Sequence, residues 1–130
     1  MWARLLWSVV LLVAAVACGK GDGAAGGGGP RDAVISAWKK GGLTLSPLTA
    51  ATVTVGKDCQ SGTVGAIDLL LCVYPTAAEA KASEESGLAW VGDATGAAQV
   101  SGTVLIAVAD RRKSDPSGRT INQLMKLAPK

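Results

Sequence analysis

The residues that could carry out chemistry are few, and the most conspicuous is an acidic side chain inside an apolar segment. Asp68 is the one charged residue within TVGAIDLLLCVY at positions 63–74. A lone carboxylate forms neither a metal site nor the acid–base pair that a glycoside hydrolase needs. The chain contains no histidine, which excludes catalytic triads with an imidazole base. These residues predict no catalytic site, and Asp68 is either a solvent-facing side chain or a contact for a ligand or partner.

The sequence contains no motif that is typical of a metal or cofactor site. A zinc site would have to use Cys59, Cys72 and carboxylates alone, which is a rare donor set for zinc. The glycine run at 26–29 lacks the lysine of a phosphate-binding loop. The formal net charge is only +3, which does not indicate nucleic-acid binding. The sequence therefore predicts no metal, no cofactor and no nucleic-acid partner.

The densest charged segment is DRRK at 110–113. Arg111, Arg112 and Lys113 are interpreted either as a solvated loop that protects the end of a strand or as a contact for an anion or lipid headgroup. The N-terminus of the helix predicted after this loop would strengthen the contact. Three basic residues are fewer than the roughly four to eight of a polybasic membrane patch.

Two tryptophans follow the amino-terminal segment. Trp38 lies on a helical apolar stripe, which predicts a core position. Trp90 stands beside Gly92 and Asp93, so a place in the core competes with a half-exposed role as an anchor for a partner. Together with Asp68 and the basic segment 111–113, Trp90 completes the set of candidate partner or anion contacts.

The amino-terminal thirty residues predict export. Arg4 is followed by LLWSVVLLVAAVA at 5–17 and then directly by Cys18. An apolar run of this length fits the core of a signal peptide and is too short to span about 30 Å of hydrocarbon as a helix. The next residues are rich in glycine, which predicts a flexible tether. We therefore expect a signal peptide at 1–17, a modified cysteine and tether at 18–30, and one folded domain at 31–130.

The segment Ala15-Val16-Ala17-Cys18 resembles the lipobox of bacterial lipoproteins. This resemblance covers residues 1–20 and implies cleavage before Cys18, acylation of that cysteine and anchoring to a membrane of the cell envelope. Because Gly19 rather than aspartate follows the cysteine, it also favours the outer membrane over the inner membrane, with the domain facing the periplasm. The small residues Ala15 and Ala17 equally satisfy ordinary signal peptidase, so a secreted protein and a retained membrane anchor are the alternatives.

An exported chain with three cysteines requires an explanation for the odd one. Lipid on Cys18 supplies it and leaves Cys59 and Cys72 as a pair in an oxidising compartment. Twelve residues separate the two, unlike the C-x-x-C spacing typical of redox-active couples. We therefore predict a structural disulfide, worth about 3 kcal/mol for a loop of this size.

The predicted elements are ordered α-β-β-α-β-β-α, which is typical of a small α+β domain. We expect an antiparallel sheet of three to four strands with helices packed on one face. The predicted helices are 32–40, capped by Asp32 and ended by Gly41 and Gly42; 77–86, with a capping box from Thr76 to Glu79 and an end at Gly87; and 117–127, with Pro116 near its first position. The predicted strands are 49–55, 63–74, 88–91 and 97–108 with a break near 101–102, and 57–62 is predicted to be a turn. Along 63–74 the side chains alternate, so that Ile67, Leu69 and Leu71 face one side of the sheet and Asp68, Leu70 and Cys72 face the other.

The resulting functional hypothesis is a lipid-anchored envelope protein whose domain is a non-catalytic binding or scaffolding module, with another envelope protein as its partner. Two alternatives belong to other classes. One is a cell-wall hydrolase that uses carboxylates such as Asp68 and Asp110, and the other is an inhibitor or immunity-type lipoprotein. The domain itself carries no motif that resembles a known family.

Overall fold

The computed structural model describes residues 29–130, so the predicted signal peptide, Cys18 and the predicted tether before Gly29 lie outside the described residues. Within this range the helices are α1 at Pro30–Lys40, α2 at Ala77–Ala82, α3 at Glu84–Val91 and α4 at Arg119–Leu127. The strands are β1 at Thr49–Val53, β2 at Gly56–Val64, β3 at Ile67–Val73, β4 at Thr95–Ser101 and β5 at Val104–Asp110.

The strands form a five-stranded antiparallel sheet in the order β1-β2-β3-β5-β4. The chain leaves β3, passes through α2 and α3, and returns as the edge strand β4, so that β5 fills the space between β3 and β4. The predicted α+β domain with one disulfide is confirmed. The prediction of three to four strands is wrong, because residues 57–62 belong to β2 rather than to a turn, and because the predicted strand 97–108 is two strands, β4 and β5, divided at the predicted break.

The apolar side chains of β3 and β5 point to both faces of the sheet, and each face is covered by its own pair of helices. Our expectation of helices on a single face is therefore wrong. The face under α1 and α4 holds a buried cluster of Val34, Trp38, Val64, Ile67, Leu69, Leu71, Val104, Ile106, Val108, Ile121, Leu124 and Ala128. The face under α2 and α3 holds Val55, Cys59, Leu70, Cys72, Val91, Leu105, Ala107 and Ala109.

The segment 63–74 is a hairpin and not the single long strand that its apolar character predicts. Val64 pairs with Ile67 across the turn, where Gly65 has a positive φ of 60° that glycine adopts without strain. The alternation predicted for the second half is nevertheless confirmed, since Leu69 and Leu71 face one core and Leu70 faces the other.

The segment 77–91 forms two consecutive helices, so the predicted strand at 88–91 is wrong. The predicted cap is confirmed, because the Thr76 side chain accepts a hydrogen bond from the N–H of Glu79 at 3.1 Å. Gly87 does not end a helix but lies buried within α3, where a Cβ would come within 3.1 Å of Leu105 and 3.2 Å of Ala98. Its missing side chain allows α3 to approach the sheet closely.

Helices α1 and α4 begin at other residues than the sequence predicts. Asp32 is not the residue before α1 but its third, and its carboxylate accepts from the N–H of Gly29 at 3.3 Å. The helix stops at Gly41 and Gly42 as predicted, and Gly42 has a φ of 94°. The last helix begins at Arg119 rather than near residue 117, after a left-handed Gly118.

The predicted disulfide between Cys59 and Cys72 is confirmed. The two residues lie directly opposite each other on β2 and β3, with their Cα atoms 4.0 Å apart. The bond therefore joins neighbouring strands and holds the register of the hairpin that contains them. Both cysteines are buried beneath the layer of α2 and α3.

Trp38 joins the two helices of the other layer, and its predicted core position is confirmed. Its side chain is fully buried, and its indole N–H donates to the carbonyl of Leu124 at 2.8 Å. That carbonyl lies in the last turn of α4, where backbone acceptors lack partners within the helix. The indole thus fills apolar volume in the core and donates the hydrogen bond that the Leu124 carbonyl lacks within the helix.

We expect Trp38→Phe to lower the free energy of unfolding by about 1–3 kcal/mol, because the buried carbonyl of Leu124 loses its donor and the core loses volume. Urea unfolding at neutral pH measures the loss. Trp90→Phe is the matched control, since Trp90 is half-buried and its indole N–H makes no hydrogen bond within the described residues. An equal loss in both variants would contradict the role given to the Trp38 hydrogen bond.

Candidate binding groove

The layer of α2 and α3 covers only half of its face of the sheet. Helix α3 packs against β4 and β5, where Ala98, Ala107 and Ala109 present small side chains to it. Among the helices of residues 29–130, none covers β1 and β2 on this side. The uncovered half forms an open groove between α3 and the edge strand β1.

The floor of this groove combines apolar and hydroxyl-bearing side chains. Strand pairing puts Thr49, Ser61 and Leu70 in one row across β1, β2 and β3, and Thr63 opposite Asp68 in the next row. Because side chains alternate along a strand, these residues share one face of the sheet. The groove has a volume of about 360 Å³, and its lining includes Thr49, Ala51, Val53, Ser61, Thr63, Asp68, Leu70, Trp90 and Arg111.

A charged pair and an indole form one wall. The guanidinium of Arg111 lies 3.1 Å from a carboxylate oxygen of Asp68 and 4.3 Å from the centre of the Trp90 ring. It also donates to the backbone carbonyl of Trp90. Three contacts thus hold Arg111, and Arg111 in turn holds the indole by a cation–π interaction.

Arg112 binds the same carboxylate from the other side. It lies 3.0 Å from the second oxygen of Asp68 and donates to the carbonyl of Ala66 at 2.7 Å. The structure therefore brings four of the five candidate contacts together as one cluster, which we call the Asp68 cluster: Asp68, Trp90, Arg111 and Arg112. Two guanidinium groups and one carboxylate leave it a net charge of +1.

Lys113 lies beside this cluster without joining its ion pairs. Its side chain is exposed, and its backbone has a positive φ of 55°. It lines a shallow hollow with Trp90, Asp93 and Arg111. Lys113 therefore adds positive charge to the rim and does not line the groove floor.

The groove continues along α3. A second hollow of about 370 Å³ is lined by Val53, Thr54, Val55, Ser86, Ala89 and Trp90. It shares Val53 and Trp90 with the first, so Trp90 stands at the middle of an elongated depression. One side of this depression is the edge strand β1, and the other is the small-residue side of α3.

The two carboxylates named for a hydrolase do not converge. Asp68 lies two residues before Leu70 and therefore shares its face, under α2 and α3. Asp110 lies two residues after Val108 and shares the other face, under α1 and α4. Asp110 is buried, and its oxygens accept from the N–H groups of Ser114 and Asp115, each at 2.9 Å. With the sheet between them, these two groups cannot act together on one substrate.

The hydrogen bonds to Asp110 set its titration. Burial raises the pKa of this carboxyl, but the hydrogen bonds from Ser114, Asp115 and Lys113 together outweigh burial and hold the pKa below its ordinary value. Asp110 is thus the anchor of the loop that leads into α4. Its role within the described residues is structural.

The start of α4 is likewise occupied by a carboxylate of the chain. Asp115 accepts from the N–H of Thr120 at 2.7 Å, and this hydrogen bond lowers the pKa of Asp115. A helix start that is already capped has less to offer an external anion. The arginines predicted to bind an anion with its help are instead held by Asp68.

Sequence reasoning missed the hydroxyl-bearing floor of the groove. The sequence predicts a turn at Ser61 and the start of a long strand at Thr63, which hides the face that the two residues share. The signal available was the alternation of Cys59, Ser61 and Thr63 in steps of two. Polar residues in such a short alternation resemble a loop unless the neighbouring strands are known.

Comparisons with known proteins return no family model, no curated protein and no solved structure that matches this chain. Among residues 29–130, no helix is both long and apolar enough to cross a bilayer. The same residues contain no group of three or more cysteine, aspartate or glutamate side chains placed to hold a metal ion. The groove and the amino-terminal sequence are the features that bear on function.

We expect Asp110→Asn to reduce the free energy of unfolding at neutral pH, because the amide retains only one acceptor oxygen for two backbone donors. The difference from the unmodified protein should shrink on acidification. A carboxyl whose folded pKa is lowered stabilises the fold above its ordinary pKa, and this stabilisation is lost as the pH falls through the lowered value. Urea unfolding from about pH 6 to about pH 2.5 measures the effect.

The matched control is Asp93→Asn, since Asp93 is exposed and its carboxylate accepts no hydrogen bond within the described residues. Its effect should stay within about 0.5 kcal/mol. A difference between Asp110→Asn and the unmodified protein that is constant over the whole pH range would contradict the assignment of the low pKa to Asp110.

Proposed function

We propose that the chain is a lipid-anchored protein of the cell envelope whose domain is a non-catalytic binding module, and that the groove around Trp90 is its binding surface. The observation that carries the binding role is the way Trp90 is held. The Trp90 indole is half-buried and stacked against Arg111, and it lines both hollows of the groove. A side chain held in this way can contact a partner that binds along the groove.

A fixed side chain loses little conformational freedom when a partner binds. Arg111 contacts Asp68 and the Trp90 backbone as well as the indole, so the wall is ordered before binding. Pre-ordering of this kind lowers the entropic cost of association. Tryptophan and arginine are also the side chains most often found at energetically dominant positions of protein interfaces.

The lining favours a protein partner over a free anion. Asp68 neutralises much of the positive charge of the two arginines, and apolar side chains such as Val53 and Leu70 alternate with the hydroxyl groups of Thr49 and Ser61. Such a mixture matches the alternating apolar and polar groups of a polypeptide segment. The outer edge of strand β1 pairs with no other strand of residues 29–130, and this edge lies beside the groove, where it offers further hydrogen bonds.

The support for lipid anchoring comes from the sequence and from the cysteine pairing. Because Cys59 and Cys72 are joined to each other, Cys18 is the cysteine of the chain that is left for another modification. It stands directly after the apolar run of the predicted signal peptide. The first described helix begins at Pro30, next to the end of the predicted tether.

For protein isolated from membranes, we expect an intact mass that corresponds to cleavage before Cys18 with acyl chains attached. Two further thiols should become accessible to alkylation only after reduction, because they belong to Cys59 and Cys72. Cys18→Ser should abolish the acyl mass and release the protein from membranes. A soluble, unacylated chain with a free Cys18 would overturn the lipid anchor.

Photo-crosslinking in cells tests the groove. A photoreactive residue at Thr49, which is exposed at the rim, should form adducts with a protein partner, whereas one at the exposed Asn122 of α4 on the opposite face should not. Trp90→Ala should reduce the yield from Thr49 by about tenfold, as expected for a dominant contact. Leu88→Ala is the matched control, because Leu88 is 52% exposed on the same helix but does not line the groove.

Equal adduct formation from Thr49 and Asn122, or an equal effect of Trp90→Ala and Leu88→Ala, would rule the groove out as the binding surface. Circular dichroism and disulfide content show whether Trp90→Ala still folds. The identity of the adduct also separates the remaining alternatives. An enzyme captured through the groove and blocked by it would favour an inhibitor or immunity-type lipoprotein over a scaffold.

A further inference from the structure

The face of the domain opposite the groove brings two helix ends together. The Trp38 indole reaches the carbonyl of Leu124, and Gly41 lies directly against the side chain of Leu127. The C-terminal ends of α1 and α4 therefore adjoin, although more than eighty residues separate Trp38 and Leu124 in the chain. Only the folded chain shows this neighbourhood.

Four exposed lysines lie at this common end. Lys39 and Lys40 are in the last turn of α1, Lys126 is in the last turn of α4, and Lys130 follows that helix. None of them forms an ion pair within the described residues. The segments 36–43 and 122–130 contain no acidic residue. We call these four residues the lysine end.

Asp32 is an acidic side chain close to this group. It lines a hollow with Lys39, but its carboxylate accepts from the N–H of Gly29 rather than pairing with the lysine. A lysine in the last turn of a helix also stabilises the helix dipole. The helix dipole explains why a lysine occurs in the last turn of α1 or of α4. It does not explain why the last turns of these two helices lie side by side.

The opposite layer has the opposite charge. Helices α2 and α3 carry Glu79, Glu84 and Glu85 against a single basic residue, Lys81, which pairs with Glu84 at 3.0 Å. The helices on the two faces of the sheet thus differ in charge, and on the groove side Arg111, Arg112 and Lys113 offset the excess glutamates of α2 and α3. A molecule polarised in this way takes a preferred orientation in the field of a charged surface.

The predicted tether would keep the domain within range of such a surface. About a dozen residues connect Cys18 to α1, and a glycine-rich chain of this length has a mean reach of roughly 20 Å. The lysine end lies one helix length from the point of attachment, about 16 Å for the 11 residues of α1. Both lengths are comparable to the few Debye lengths over which an anionic bilayer attracts lysines.

We propose that the lysine end docks on the anionic phospholipid surface of the membrane that anchors Cys18, and that this contact turns the groove away from the bilayer. The proposal rests on the proposed lipid anchor. Four lysines reach the size of a polybasic patch, which the predicted segment 111–113 does not. Docking orients the Trp90 groove on the far side of the sheet toward partners in the surrounding compartment.

Lysine labelling tests this orientation with the acylated protein purified from membranes. The protein is added to preformed phosphatidylcholine vesicles with or without roughly one-third phosphatidylglycerol, and an amine-reactive reagent is followed at each lysine by peptide mass spectrometry. In the anionic vesicles, labelling of Lys39, Lys40, Lys126 and Lys130 should slow by about fivefold or more, while Lys81 and Lys113 keep their rates. High salt should remove the difference.

A double charge reversal, Lys40→Glu with Lys126→Glu, should abolish the slow labelling of Lys39 and Lys130 without changing the free energy of unfolding by more than about 1 kcal/mol, since both residues are exposed. Equal labelling in the two kinds of vesicle, or slowing at Lys81 instead, would overturn the proposal. The outcomes separate it from the lipid anchor: protein without acyl mass fails at anchoring, whereas acylated protein with uniform labelling fails only at docking.

Discussion

Strands β3 and β5 carry apolar side chains on both of their faces, and neither face can be left in contact with water. A strand that is apolar on one face can lie at the surface of a sheet, but one that is apolar on both needs a layer above and a layer below. Helices α1 and α4 supply one layer, and α2 and α3 supply the other. The placement of the four helices follows from the need to cover both faces of β3 and β5.

The two layers are unequal, and the groove results from that inequality. On one side, Trp38 and Leu124 join two helices over the middle of the sheet. On the other side, α2 and α3 are short, and Gly87 seats α3 close to β4 and β5. The helices of the described part of the chain leave the half of the sheet made by β1 and β2 open there. The buried disulfide stabilises the strands that form the floor of this opening.

Polar groups around the core are satisfied in different ways on the two faces. Asp110 lies under α4 and uses its oxygens to hold the loop before that helix. Asp68 lies beside the open half of the other face and holds Arg111 and Arg112 against Trp90. The first carboxylate is enclosed and structural, whereas the second orders a wall that a partner can reach.

The sequence by itself determined the features that depend on neighbours along the chain or on simple exclusion: the cysteine pair, the cap at Thr76, the core position of Trp38 and the alternation of 67–73. Only the tertiary structure decided that residues 57–62 form a strand, that Gly87 is a packing contact, and that Trp90 meets Asp68 and the arginines. These depend on residues brought together from distant segments, because strand pairing and helix packing join side chains whose separation in sequence carries no information about their contact.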